Sequence, residues 1–328
     1  MTDNKKVCMT TMGSNHMNEH FRRKDPKYQY AKYAKSPYEF INNHRLVLDF
    51  KEGKYLNKPL FNFEYEFLKH IHENNYSITK KTRQMHTTTL TAAYCAWRLI
   101  FKNDYNIKLF SNNKETSARF IENVKRNIQN YSNDLFNWEN DVITDNKYEI
   151  SLKNGSTIRG VGNSKTALRG YRPDLIILDE AAFIKGVDKI WVEACMALCA
   201  NGKCIIYSSP QDKKGFFYKA WNKSVENKND FKSMNIHWSV NPRFNSGMTL
   251  ENGNQTSPWY EDFCKTLNYD EFSIKTELDG VFFEKKKKSH RINLRLESEI
   301  YLKMEEERLG DSNVSNYIKG LIKKDLGL

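Results

Sequence analysis

Apolar and polar positions along the chain switch repeatedly between a helical and an extended period. FNFEYEFLKHIHENN (61–75) carries apolar residues at helical spacing, and YSITKKT (76–82) follows as a short strand. TTTLTAAYCAWRLIFKN (87–103) predicts a helix with Leu90, Ala93, Tyr94, Trp97 and Phe101 along one face. NIKLFS reads as a strand and SARFIENVKRNIQNY as a helix. KYEISLKNGSTIRGVG alternates on both sides of Asn154-Gly155, a strong short-range hairpin signal. RPDLIILDEAAF is an aliphatic run ending in two acids, a helix is predicted around 188–198, and KCIIYSSP is another buried strand that stops at a turn. Strands alternating with helices, with polar residues at their C-terminal ends, predict an α/β fold with a mostly parallel sheet flanked by helices.

Composition adds the boundaries. A chain of 328 residues with 39% hydrophobic content can bury a full α/β core and a small second unit. Residues 1–30 are polar and read as a flexible arm, residues 31–284 as the large domain, and the run of lysines from Lys285 as a linker into a separate module, 285–328. Lys and Arg number 52 against 40 Asp and Glu, a net charge of +12 that suits either an anionic partner such as nucleic acid or a merely basic soluble surface. The six cysteines are scattered, and CMALCANGKC lacks the paired spacing of zinc sites, so neither a disulfide framework nor a metal cluster is expected. No stretch approaches the length of an apolar membrane span or signal peptide, which predicts a soluble, intracellular protein without a membrane partner.

Two stretches carry candidate chemistry. LIILDEAAF delivers Asp179 and Glu180 at the end of a buried strand, where one carboxylate can serve a magnesium shell and the next an attacking water; the plainer role of such acids is to cap the next helix. KKTRQMHTTT (80–89) joins a strand to a helix, whose free N–H groups would face a phosphate, yet it lacks the glycines of the G-x-x-x-x-G-K-[ST] loop. Lys81 could enter such a site from the strand side, and Thr88 offers a hydroxyl to a metal.

Together, KKTRQMHTTT, ALRGYRPDLIILDEAAF and IIYSSPQDKKGFFYKAW resemble the ATPase domain of the large terminase subunit that packages DNA into tailed-phage capsids, over about residues 40–284. That family often uses a phosphate loop of the form K-x-R-Q-x-G-x-[ST], which Lys81, Arg83, Gln84 and Thr88 match. The resemblance implies a P-loop NTPase that takes ATP and Mg²⁺. Lys81, Gln84, Thr87 and Thr88 would bind nucleotide, Asp179 with Thr88 would hold the metal, Glu180 would be the catalytic carboxylate, and Arg83 an arginine finger in cis. Ser208, Ser209 and Pro210 match the family's coupling motif. It further implies a ring on a capsid portal in an infected bacterial cytoplasm, acting on double-stranded DNA with a small terminase subunit. Two positions depart from the pattern. His86 stands where the loop has glycine and is expected to crowd it, and Glu64 replaces a glutamine that contacts adenine.

After LDGVFFE only the 44 residues 285–328 follow, too few for the family's ribonuclease-H-like nuclease, so no DNA cutting is expected and the nuclease would be a separate chain. Those residues instead resemble a ribbon-helix-helix DNA-binding dimer. RINLRL would present Arg291, Asn293 and Arg295 to the major groove and bury Ile292, Leu294 and Leu296, and two helices follow. The segment holds 11 Lys and Arg against 7 Asp and Glu. Two functions stay open: a packaging ATPase that forms rings or tail dimers, or a catalytically weak terminase-like protein that binds DNA or the portal and modulates packaging. Asp179-Glu180 and Ser208-Ser209-Pro210 favour the first, His86 and Glu64 the second.

Overall fold

Runs of aliphatic residues buried along their whole length build the centre of the molecule, and in this computed structural model they do so within residues 25–49, 53–131, 135–162, 171–198, 201–251 and 253–284. Beyond these only residues 320, 323 and 324 are described, and the chain divides into two units between residues 285 and 286. Arg291, Asn293, Arg295 and the ribbon-helix-helix reading lie outside the described residues.

The strands in chain order are β1 (Leu46–Asp49), β2 (Lys54–Asn57), β3 (Tyr76–Lys81), β4 (Asn106–Phe110), β5 (Val142–Asn146), β6 (Glu149–Leu152), β7 (Thr157–Gly160), β8 (Leu175–Asp179), β9 (Lys203–Ser208), β10 (Lys232–Ile236), β11 (Thr249–Glu251) and β12 (Asn254–Thr256). The longer helices are α1 (Pro26–Lys35), α2 (Pro37–His44), α3 (Asn62–Glu73), α4 (Thr87–Phe101), α5 (Lys114–Gln129), α6 (Val187–Ala197), α7 (Gly215–Val225) and α8 (Pro258–Thr266). Eight strands form one sheet in the order β10-β3-β9-β8-β4-β7-β6-β5. The run from β10 to β7 is parallel, and β6 and β5 add antiparallel strands at one side.

Burial on both faces explains why LIILD is aliphatic throughout rather than alternating. Leu175 and Ile177 join one apolar cluster with Ile205, Tyr207 and residues of α3, α4 and α5. Ile176 and Leu178 join the other with Cys204, Ile206 and residues of α6 and α7. The sheet is thus the middle of three layers.

The hairpin predicted at Asn154-Gly155 joins β6 to β7. Gly155 takes φ +83°, and a Cβ there would meet Asp104 Oδ1 at 2.0 Å, so the turn requires glycine. Asn154 Nδ2 donates to Leu99 O and Lys102 O at 2.8 and 2.9 Å, satisfying carbonyls at the end of α4.

Three expectations need correcting. The helix α1 starts at Pro26, capped by Asp25, inside the stretch read as an arm. α4 is not amphipathic: Ala92, Cys95, Ala96 and Leu99 are as buried as Leu90 and Tyr94, because α4 lies between the sheet and α2, α3 and α5. α5 begins at Lys114, three residues before the predicted start, because the Asn113 side chain accepts the Thr116 N–H.

Candidate active site

The parallel order β3-β9-β8 sets the C-terminal ends of three strands side by side. Lys80 pairs in register with Ser208, and Asp179 with Tyr207. Lys81, Ser208, Ser209, Asp179 and Glu180 therefore arrive at one edge of the sheet, where ligands of such folds bind. A cavity of about 460 Å³ opens there, lined by Lys81, Arg83, Gln84, Met85, His86, Thr87, Thr88, Glu180 and Ser209 among others.

The loop between β3 and α4 presents the start of a 15-residue helix to this cavity. The N-cap, His86, makes no side-chain cap bond to the first turn, so amide donors there are left for an anion. Thr82 N–H donates to Ile236 O and Arg83 N–H to Glu277 O, at 3.0 and 2.8 Å, which fixes the loop from below. Gln84 and His86 lie in the left-handed region, at φ 61° and 56°, and so does Glu180 at 54°. Such conformations cost a non-glycine residue on the order of 1–2 kcal/mol, and three of them around one cavity mark a place where the surroundings hold the backbone in shape.

The acids divide the work. Asp179 is 1% exposed and accepts a hydrogen bond from Thr88 Oγ1 at 3.0 Å. Burial, then the neighbouring Glu180 carboxylate, push Asp179 up to about 6, against the opposing pull of Thr88. A buried carboxylate beside a hydroxyl is an oxygen donor pair of the kind Mg²⁺ accepts together with water and phosphate oxygens, so these residues fit that ion. Glu180 is 29% exposed in its side chain and pairs with Lys81 Nζ. Its other oxygen accepts from Ser209 N–H at 3.1 Å and from Ser208 Oγ at 3.3 Å, while Lys81 Nζ also reaches Ser209 Oγ at 3.4 Å. Ser208 Oγ further accepts the Ala182 N–H at 3.1 Å. The Ser208-Ser209 pair thus grips Glu180 directly, while Pro210 is buried beside it and does not line the cavity.

His86 and Glu64, the two departures, are bonded to each other. His86 Nδ1 lies 2.8 Å from Glu64 Oε1. An ionised carboxylate only accepts, so Nδ1 carries the proton in this contact. Arg45 Nη1 donates to the same oxygen at 2.8 Å, and Phe61 N–H to Oε2 at 2.9 Å. Burial alone would raise the Glu64 carboxyl; the bonds from His86 and Arg45, the Arg45 charge and the Phe61 amide outweigh it and hold it at about 2. Two expectations change. His86 does adopt a positive φ, and its ring turns onto Glu64 instead of merely crowding the loop. Glu64, expected to replace an adenine-contacting glutamine, is fully buried with both oxygens taken up by protein donors, and is not among the residues that line the cavity.

The cavity wall also holds Asn112, Thr116, Phe183 and Glu277, which sequence reasoning missed. Asn112 and Thr116 flank the Asn113 cap, and a cap signal just after a predicted strand was legible in SNNKET. Phe183 follows Asp179-Glu180 in a short 3₁₀ turn, and Glu277 arrives from far along the chain.

Among the described residues no helix is long and apolar enough to cross a membrane. The ATPase domain of the Thermus phage P74-26 large terminase superposes with a TM-score of 0.50 at 17% identity, covering 69% of this chain and 94% of that one. The HK97 bacteriophage large terminase gives 0.58 at 13% identity, covering 76% and 55%. A large terminase from a thermophilic bacteriophage, in complex with ADP, gives 0.50 at 13%, covering 68% and 54%. This chain spans about half the length of the latter two. At these identities the likeness fixes the fold, that of the terminase ATPase domains. The sequence profile of the family described as terminase large subunit, T4likevirus-type, N-terminal, matches residues 63–295, most of the chain, and the chain belongs to that family.

Proposed function

We propose that the large unit hydrolyses ATP to drive a DNA-packaging motor. The observation that carries this reading is the meeting of Lys81, Thr88, Glu180 and Ser209 around one cavity at the C-terminal edge of a parallel sheet, with the buried Asp179 bonded to Thr88 behind its wall. The amides opening α4 and the Lys81 ammonium suit the β- and γ-phosphates. Thr88 and Asp179 would hold Mg²⁺, which when bound neutralises charge on the phosphates. Without nucleotide, Lys81 and Glu180 satisfy each other. A triphosphate offers Lys81 a stronger partner, which frees the Glu180 carboxylate to orient a water and accept its proton. Because that carboxylate is also held by Ser209 N–H and Ser208 Oγ, its release is felt at once by Ser208-Ser209-Pro210, and this gives the coupling motif a physical handle on hydrolysis.

The family supports double-stranded DNA, a capsid portal and a small terminase subunit as partners, in keeping with the net charge of +12. The weak-binder alternative rests on His86 and Glu64, whose mutual bond gives both a structural role in the loop, and no observation favours it over the motor. The test is ATP turnover by the purified chain with and without duplex DNA, beside Glu180→Gln. Turnover that DNA stimulates and the substitution abolishes is the expected result; equal, negligible rates for both proteins would exclude a motor.

A further inference from the structure

Alternation along each strand settles which side chains share a face of the sheet. β8 turns Leu175, Ile177 and, at its end, Asp179 toward the layer that holds α4, and β9 turns Ile205 and Tyr207 the same way. Asp179 and Tyr207 are in register, so the carboxylate and the phenol stand side by side under the start of α4. Tyr207 is wholly buried, and its ring meets Phe67 of α3 edge-on with centroids 6.2 Å apart. Its hydroxyl faces Thr91, Thr88 and Asp179, yet meets none of them at hydrogen-bond geometry. Both threonines have placed their protons elsewhere: Thr88 Oγ1 donates to Asp179 Oδ1 at 3.0 Å, and Thr91 Oγ1 to Thr87 O at 2.8 Å. Burial, then the Asp179 charge, push the Tyr207 hydroxyl well above its ordinary value, so it keeps its proton. A buried hydroxyl without a partner has given up water for nothing, at a position where phenylalanine would fill the same space.

We propose that Tyr207 is a positioning residue whose hydroxyl donates to the Asp179 carboxylate when that carboxylate serves Mg²⁺, and so holds it charged and aimed past Thr88. The proposal rests on the reading of this cavity as a nucleotide and metal site. A carboxylate sealed from water keeps its charge only where donors replace the water, and the donor at 3.0 Å, Thr88, is itself a candidate metal ligand. A second donor is therefore needed behind it. Of the three groups that the Tyr207 hydroxyl faces, Asp179 is the one able to carry charge, and a charged acceptor binds a neutral donor about twice as strongly as a neutral one does. Donors behind a ligating side chain fix its direction and set the affinity for the ion. Tyr207 can act in this way from outside the cavity, whose lining does not include it. Phe67 packs the ring in place, so the donor is preorganised.

The experiment measures equilibrium binding of ATP to the full chain and to Tyr207→Phe, in excess EDTA and over a range of Mg²⁺ concentrations, together with urea unfolding of each protein without ligand. In Tyr207→Phe the Mg²⁺ concentration that gives half the tightening of ATP should rise about tenfold, the usual worth of a group that orients a metal ligand. ATP affinity in EDTA should be unchanged, and the urea midpoint should be no lower, since the hydroxyl removed has no partner to lose. In steady state, saturating Mg²⁺ should restore the turnover of Tyr207→Phe, and in an Asp179→Asn background the same substitution should change nothing further. An Mg²⁺ dependence equal in parent and variant, an equal loss of affinity in EDTA, or the same shift without the Asp179 carboxylate overturns the proposal. So does a Tyr207→Phe chain that fails to fold or unfolds at lower urea, because the hydroxyl would then be a structural anchor of the metal-free protein. A parent chain that binds no ATP at any concentration sinks the nucleotide reading and this proposal with it, whereas Mg²⁺-tightened ATP binding that Tyr207→Phe leaves untouched sinks the role of Tyr207 alone.

Discussion

Glu64 and Glu180 stand at opposite ends of the same phosphate loop, one against His86 and the other against Lys81. Each is a glutamate paired with a basic residue of the loop, yet they are built for different tasks. Glu64 is sealed from solvent, and both oxygens are taken up by Arg45, His86 and the Phe61 amide. Glu180 is partly exposed on a left-handed backbone, and its partners Lys81 and Ser209 line the cavity with it. A carboxylate with a permanent set of partners holds a shape; one whose partners also face a ligand can change them. The difference lies in burial and in who else competes for the partner, not in residue type.

The contrast can be broken by substitution. Glu180→Gln should lower ATP turnover by about two to four orders of magnitude, the usual worth of a positioned general base, with ATP binding retained. Rates are read in steady state and affinity by titration, and a loss of affinity without loss of turnover would reverse the assignment. Glu64→Ala should instead act on stability. It strands Arg45, itself 2% exposed, and removing one partner of such a buried pair costs about 3–5 kcal/mol, seen as a lower urea midpoint. If Glu64→Ala unfolds no more readily than the parent, Glu64 is no structural anchor.

His86→Gly sets two effects against each other. It loses a bond to a charged group worth about 1.5–3 kcal/mol and relieves a left-handed backbone costing about 1–2 kcal/mol. Net destabilisation of about 1 kcal/mol is expected, and ATP affinity should fall because the loop loses its tie to Glu64; tighter binding would restore the view of His86 as an obstruction. The smallest effect is in the pH profile. The Glu64 carboxyl is held at about 2, below its ordinary 4.5, so its contribution is complete above 4.5 and is lost as pH falls toward 2. Asp179 is raised from 3.8 to about 6, so the folded state takes up the proton first and gains stability as pH falls through that range. Denaturation of Glu64→Gln and Asp179→Asn across pH 2–7 should flatten these two slopes separately; a single slope affected by both substitutions would merge the sites.

Much of this was legible in the chain. Continuous aliphatic runs ending in acids or serines announced central strands, and Asn154-Gly155 announced its hairpin. Lys81, Thr88, Asp179, Glu180 and Ser208-Ser209 do converge, because parallel strands deliver their C-terminal ends to one edge. The pair His86–Glu64 could not be read, since a substitution looks like damage until its partner, here one helix away, is known. Glu277 was equally hidden, for a π turn has no periodicity to betray it and its partner is distant in the chain. Strands β5 and β10 were missed because outer strands with exposed, polar positions lack the apolar pattern.

The way Thr82 is held has a bearing on synthesis. Its amide is satisfied by Ile236 O, at the end of β10, and the next amide by Glu277 O. A nascent chain can lay down β3 and α4 early, but its phosphate loop has no floor until the last strand of the sheet has left the ribosome and docked, and no wall until the π turn follows. Closing so long a stretch of chain is a late, all-at-once event. The candidate site is therefore completed only when the unit is nearly whole, so unfinished polypeptides on the ribosome hold only part of it.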